Sequence, residues 1–131
     1  MIIEDYVSFE IAKLLKEKGF DEATLCDYSD KGLRWFNDVL VRHNSQGGIA
    51  CPTLQMAMKW LREVHNTIIV PSIRAMDPIT GIIDCYCISI YYIPKNNGGA
   101  LCSISPTPEN GYSSYEEACE AAIKYCLENL I

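Results

Sequence analysis

Ile82-Ile83-Asp84-Cys85-Tyr86-Cys87-Ile88-Ser89-Ile90-Tyr91-Tyr92-Ile93 reads as one long strand. Alternation puts Ile83, Cys85, Cys87, Ser89 and Tyr91 on one face. Asp84, Tyr86, Ile88, Ile90 and Tyr92 take the other. Neither face is cleanly polar. Both are therefore expected to be covered, either by helices of this chain or, on one face, by a partner chain.

The neighbouring segments extend this strand into a sheet. Upstream, Asp77-Pro78-Ile79-Thr80-Gly81 is turn chemistry, preceded by a strand over Thr67–Arg74 in which Pro71 marks an edge or a bulge. Downstream, Pro94-Lys95-Asn96-Asn97-Gly98-Gly99 reads as a loop and Ala100–Ser105 as the third strand of a meander.

Three amphipathic helices flank the meander. The first starts at the N-cap Ser8, buries Ile11, Ala12, Leu14 and Leu15, and ends at Gly19 with Phe20 folded back on Leu15. The second begins near Cys51-Pro52-Thr53, carries Leu54, Ala57, Met58, Leu61 and Val64 at helical spacing, and stops at His65-Asn66. The third opens on the capping box Ser114-Tyr115-Glu116-Glu117, with Ser114 accepting from the amide of Glu117 and Glu117 reaching back. Its small face is Ala118, Ala121, Ala122, Tyr125 and Cys126.

Residues 21–51 are less regular. Leu25–Tyr28 and a strand over Leu33–His43 are expected to pair across the turn Asp30-Lys31-Gly32, and Asn44–Gly48 reads as a loop. The order is α-β(β)-α-β-β-β-α: a single α+β domain over 1–131, two-layered, with three helices on an antiparallel sheet.

The bulk properties fit one domain. The 131 residues are 49% apolar, enough for a core without disulfide staples. The net charge of −6 argues against non-specific binding to nucleic acid or an anionic membrane. The charge is uneven: residues 31–66 hold five basic side chains against two acids, the reverse of both ends of the chain. Met1-Ile2-Ile3 runs into Glu4-Asp5 without a secretory pattern, and no apolar run reaches membrane-spanning length. The seven cysteines are accordingly read as reduced, mostly buried thiols of a cytoplasmic protein.

Each candidate chemistry in the sequence competes with simple packing. Cys85-x-Cys87 has too short a spacing for a zinc knuckle, although Cys102 and His65 would complete a ligand set. A strand face of Cys, Ile and Tyr is more simply core, so no metal and no cofactor are expected. A catalytic thiol would need His43 or His65 as base, and no cysteine sits in a nucleophile motif. Serine-hydrolase and phosphate-loop patterns are absent. Arg34, Arg42, Lys59 and Arg62, with Trp35, Phe36 and Trp60 nearby in sequence, form a candidate patch for a small ligand or a single strand. The competing reading puts Trp60 in the core and Lys59 and Arg62 on a solvated face. Tyr86, Tyr91 and Tyr92 are the candidate interface, because tyrosine joins an apolar body to a polar tip.

The stretches 7–20, 52–66 and 115–130, which hold the three helices, resemble a group of uncharacterised small proteins of gut Bacteroides-type bacteria and their phages and mobile elements. The resemblance implies a phage or mobile-element setting and transfers no activity or site residue. The expected function is that of a non-enzymatic accessory protein, self-associating and acting by protein–protein association. A small-ligand or single-strand binder is the alternative, and a cysteine or metal enzyme a more distant one.

Overall fold

The computed structural model describes residues 2–36, 39–95 and 98–131. In chain order its elements are α1 (Phe9–Glu17), β1 (Cys26–Ser29), β2 (Gly32–Trp35), a single 3-10 turn (His43–Gln46), β3 (Ile49–Ala50), α2 (Leu54–His65), β4 (Thr67–Met76), β5 (Ile83–Tyr92), β6 (Cys102–Ile104) and α3 (Tyr115–Asn129). The strands form two antiparallel sheets, ordered β2-β1-β3 and β4-β5-β6.

The α+β class holds, but one expected sheet is two. The strand expected over Leu33–His43 ends at Trp35; Phe36 N–H still donates to Leu25 O (2.9 Å), and Val41 bridges Thr24. Asn37 and Asp38 of that expected strand, and Asn96 and Asn97 of the expected loop, lie outside the described residues. The 3-10 turn takes His43 from the expected strand and Asn44–Gln46 from the expected loop, and the two-residue β3 begins just after that loop.

The helix ends follow their caps. Ser8, Thr53 and Ser114 accept from the backbone N–H groups of Ile11, Met56 and Glu117 at 3.3, 3.1 and 3.1 Å. Glu117 reaches back one residue further than a simple box, accepting from the backbone and hydroxyl of Ser113. At the end of α1, Phe20 N–H donates to Leu15 O (2.9 Å) and Gly19 N–H to Lys16 O (3.1 Å). This double closure needs the left-handed φ of +93° that Gly19 supplies without strain.

The core gathers around α3, which packs on β4, β5, α1 and α2. Its sheet-facing and helix-facing sides both disappear into the core through Ala118, Cys119, Ala122, Ile123, Cys126 and Leu127. Ala121 and Tyr125, expected on the small face, are half-buried at its margin. Trp60 is buried edge-on to Phe20. The small sheet joins this core through the contact of β3 with α1.

In the larger sheet, directly opposed residues share a face. The rows Thr67–Tyr92–Cys102, Ile69–Ile90–Ile104 and Pro71–Ile88 lie under α2 and α3. The rows Ile68–Tyr91–Ser103, Val70–Ser89 and Ser72–Cys87 lie on the opposite face. Ile88 N–H donates to Thr107 Oγ1 (3.0 Å) and Ile88 O accepts from Ser105 Oγ (2.6 Å). Both of its backbone groups thus point away from β4. Pro71, opposite Ile88, is consequently in a non-hydrogen-bonded pair, and its missing donor faces the free edge of β4.

Candidate functional site

Two regions hold chemistry that the core does not absorb. The first is the polar side of the small sheet. A two-residue turn at Asp30-Lys31 sets the hairpin register and places Asp27 opposite Arg34. The Asp27 side chain is 1% exposed, so its charge needs a partner. Arg34 supplies a forked one: Nε donates to Oδ1 at 2.9 Å and Nη2 to Oδ2 at 2.7 Å. The carboxylate in turn raises the guanidinium's affinity for its proton, by hydrogen bonding first and charge second.

His43 joins this pair from the start of the 3-10 turn. Its side chain is 4% exposed, with Nδ1 3.5 Å from Asp27 Oδ2 and the ring stacked at a tilt on Phe36, 4.7 Å between centroids. Nε2 is shielded from solvent and has no hydrogen-bond partner among the described residues. Asn44 anchors the turn: its amide donates to Phe20 O (2.6 Å) and its carbonyl accepts from Ala50 N–H (2.8 Å). A cleft of about 330 Å³ opens over Asp27, Arg34, Phe36 and His43. A second, of about 600 Å³, adjoins it and shares Arg34, Gly47 and Gly48.

The second region is the uncovered face of β4-β5-β6. Ile68, Val70 and Tyr91 are 44%, 41% and 38% exposed there. Ser72 and Cys87 touch through oxygen and sulfur at 3.2 Å. Met76 and Leu101 add exposed apolar surface near its ends.

These placements separate residues that the sequence pattern had grouped. Tyr91 lies on the open face, whereas Tyr86 and Tyr92 lie on the helix side and pack against the core. Tyr86 meets Tyr115 of α3 edge-on, 6.2 Å between centroids. The basic residues go to different places. Arg34 is held by Asp27 and Arg42 by Asp21, while Lys59 lies 3.9 Å from Glu63 one helical turn away. Arg34 and Lys59 line different clefts, and Arg62 is exposed on α2.

The thiols also divide. Cys85 and Cys87 share the open-face register of β5, while Cys102 pairs with Tyr92 on the helix side. Among the described residues no group of three or more His, Cys, Asp or Glu is arranged to hold a metal ion. Cys26 and Cys51 donate to the backbone carbonyls of Cys51 and Val7. Burial pushes the Cys51 and Cys126 thiols up to about 12 and that of Cys119 up to about 11, away from thiolate chemistry. His65 sits edge-on to Trp60 at 4.6 Å, and burial, followed by Lys95 and Lys18, pulls its imidazole below the usual range.

The partnership of Asp27 with Arg34 and His43 is a feature that reading the basic residues alone passes over. The signal for it was the hairpin register, which the turn at Asp30-Lys31 fixes. Comparison of the chain with family models, curated proteins and solved structures gives no match. No helix among the described residues is long and apolar enough to cross a membrane.

Proposed function

We propose that this chain is a non-enzymatic accessory protein that works by protein–protein association, with the open face of β4-β5-β6 as its docking surface. The observation that carries this reading is the exposure of Ile68, Val70 and Tyr91 side by side on one sheet face. Exposed apolar surface of this kind costs solubility unless it is covered by a partner. The facing rows Ile68–Tyr91–Ser103, Val70–Ser89 and Ser72–Cys87 carry no charged side chain. Such a surface is complementary to a second copy of itself, and the first partner is therefore another copy of this chain. The phage or mobile-element setting implied by the resemblance of the helices belongs to the same proposal.

Light scattering after size exclusion, run at several protein concentrations, tests it. A dimer that tightens as salt screens the −6 charge of each chain is the expected result. Ile68→Lys with Tyr91→Lys should yield a folded monomer. A wild-type chain that stays monomeric at every concentration and salt would remove self-association from the reading.

A further inference from the structure

We propose that Cys26 and Cys51 form a redox pair: exchange with a low-molecular-weight disulfide joins them in a cross-strand bond that ties β1 to β3. This inference is independent of the association reading, since neither thiol lies on the open face of β4-β5-β6.

The ladder of β1 with β3 pairs Tyr28 with Ile49 and Asp27 with Ala50. One step further along the same register sets Cys26 opposite Cys51, where Cys51 N–H donates to Cys26 O (3.1 Å). Opposed residues in a hydrogen-bonded antiparallel pair stand about 5.5 Å apart at Cα and point their side chains to one face. That separation falls inside the range of roughly 4.4–6.8 Å that a disulfide spans. Both side chains are buried, and the two thiols hydrogen-bond each other. Among the described residues no other two cysteines are opposed in this way. Cys85, Cys87 and Cys102 face Ala75, Ser72 and Tyr92, and Cys119 and Cys126 stand seven residues apart on α3.

The bond gives up little of what holds the pair in the reduced chain. Cys26 Sγ donates to Cys51 O at 3.2 Å and Cys51 Sγ to Val7 O at 3.5 Å, and thiols are weak donors. Val7 O keeps the hydroxyl of Tyr28 at 2.8 Å. The gain lies in the chain. The bond closes a loop from residue 26 to residue 51 that contains the β1-β2 hairpin, the Asp27–Arg34 pair and the 3-10 turn. Without it, the far end of this segment is held through β3, which is two residues long. A crosslink across such a loop removes freedom from the unfolded chain, so the fold favours the bond and the bond favours the fold.

Neither thiol meets solvent while β3 is in place. Exchange therefore starts when this short strand is off the sheet, in a local opening or during folding. One protein thiolate attacks the small disulfide, whose S–S bond breaks and releases a first small thiol. As β3 returns, the second protein thiolate attacks the protein sulfur of that mixed disulfide and expels the second small thiol. The two cysteine protons pass through solvent to the two thiolates released. Two S–H bonds have become one S–S bond, and the oxidant has been reduced to two thiols.

The test is equilibration of the full chain, reduced and then refolded from urea, in glutathione pools of graded reduced-to-oxidised ratio. Acid quenching and peptide mapping by mass spectrometry read which cysteines are joined. The expected product is a chain two hydrogens lighter whose Cys26 and Cys51 peptides are linked. Half-oxidation of that pair should come in a pool at least about tenfold more reducing than for the same chain held in denaturing urea. The oxidised chain should also keep a native amide spectrum and unfold at higher urea than the reduced one. Cys51→Ala should abolish the linked product. If that variant does not fold, the comparison of native with denatured wild type decides by itself. The proposal is overturned if the most oxidising pool gives no Cys26–Cys51 link, if the joined peptides scatter over other pairs, or if native and denatured chains are half-oxidised in the same pool.

Discussion

Gly48 lies against Asp27 so closely that a single added carbon would stand 2.6 Å from the carboxylate Oδ2, and the next nearest atoms belong to His43. The backbone between the 3-10 turn and β3 thus forms one wall of the charged cluster.

Gly48→Ala should therefore destabilise the chain by about 1–3 kcal/mol, the usual range for overpacking a tight site. Urea unfolding of the variant checks it. Gly47→Ala gives a contrast, since a β-carbon there meets nothing within 4 Å and only the positive φ opposes it.

Removing Arg34 should harm folding more than removing both members of its pair. Arg34→Ala leaves a buried carboxylate without its forked partner, whereas Asp27→Asn with Arg34→Gln leaves no charge to compensate. The expected order of urea midpoints is wild type, then the double variant, then Arg34→Ala. An Arg34→Ala midpoint equal to that of wild type would mean that water reaches Asp27 freely.

Ile68 and Ile69 are adjacent in sequence, yet they are 44% and 7% exposed. Ile69→Ala should cost about 2–4 kcal/mol, because it opens a cavity under α2 and α3. Ile68→Ala should change the monomer's stability by less than about 1 kcal/mol and act instead on the concentration dependence of assembly. Equal costs at the two positions would show that the outer face is covered within one chain.

The buried thiols make stability fall at alkaline pH. A free thiol titrates near 9.0, whereas burial holds Cys51 and Cys126 protonated to about 12 and Cys119 to about 11. Between those limits the unfolded chain releases protons that the folded chain retains, so unfolding gains with rising pH. Their contribution is complete below about pH 9 and declines toward pH 12. Denaturant midpoints measured in reductant across this window should drop. Alkylation at pH 8 followed by mass spectrometry should label Cys85, Cys87 and Cys102, the half-buried thiols, before the four buried ones.

Much of the fold was legible because its signals are local. Ser8, Thr53 and Ser114 announce helix starts, Gly19 announces a stop, and the alternation of Ile83–Tyr92 assigns its two faces correctly. The division into two sheets was not legible. β3 has only two residues and owes its place to Asn44, whose side chain holds Ala50 from six residues away. Nor does composition show that Arg34 and Arg42 each face an acid, since Asp27 and Asp21 lie seven and 21 residues upstream. The tyrosines illustrate the same limit. Period-two spacing separates Tyr91 from Tyr86 and Tyr92, but only the positions of α2 and α3 say which side is wet.

Pro71 carries a consequence for how further strands can add to the larger sheet. Lateral growth of sheets into ribbons requires an unbroken row of amide donors along the rim, and this rim is interrupted at mid-strand. Growth of the larger sheet by strand addition along β4 is therefore opposed at Pro71.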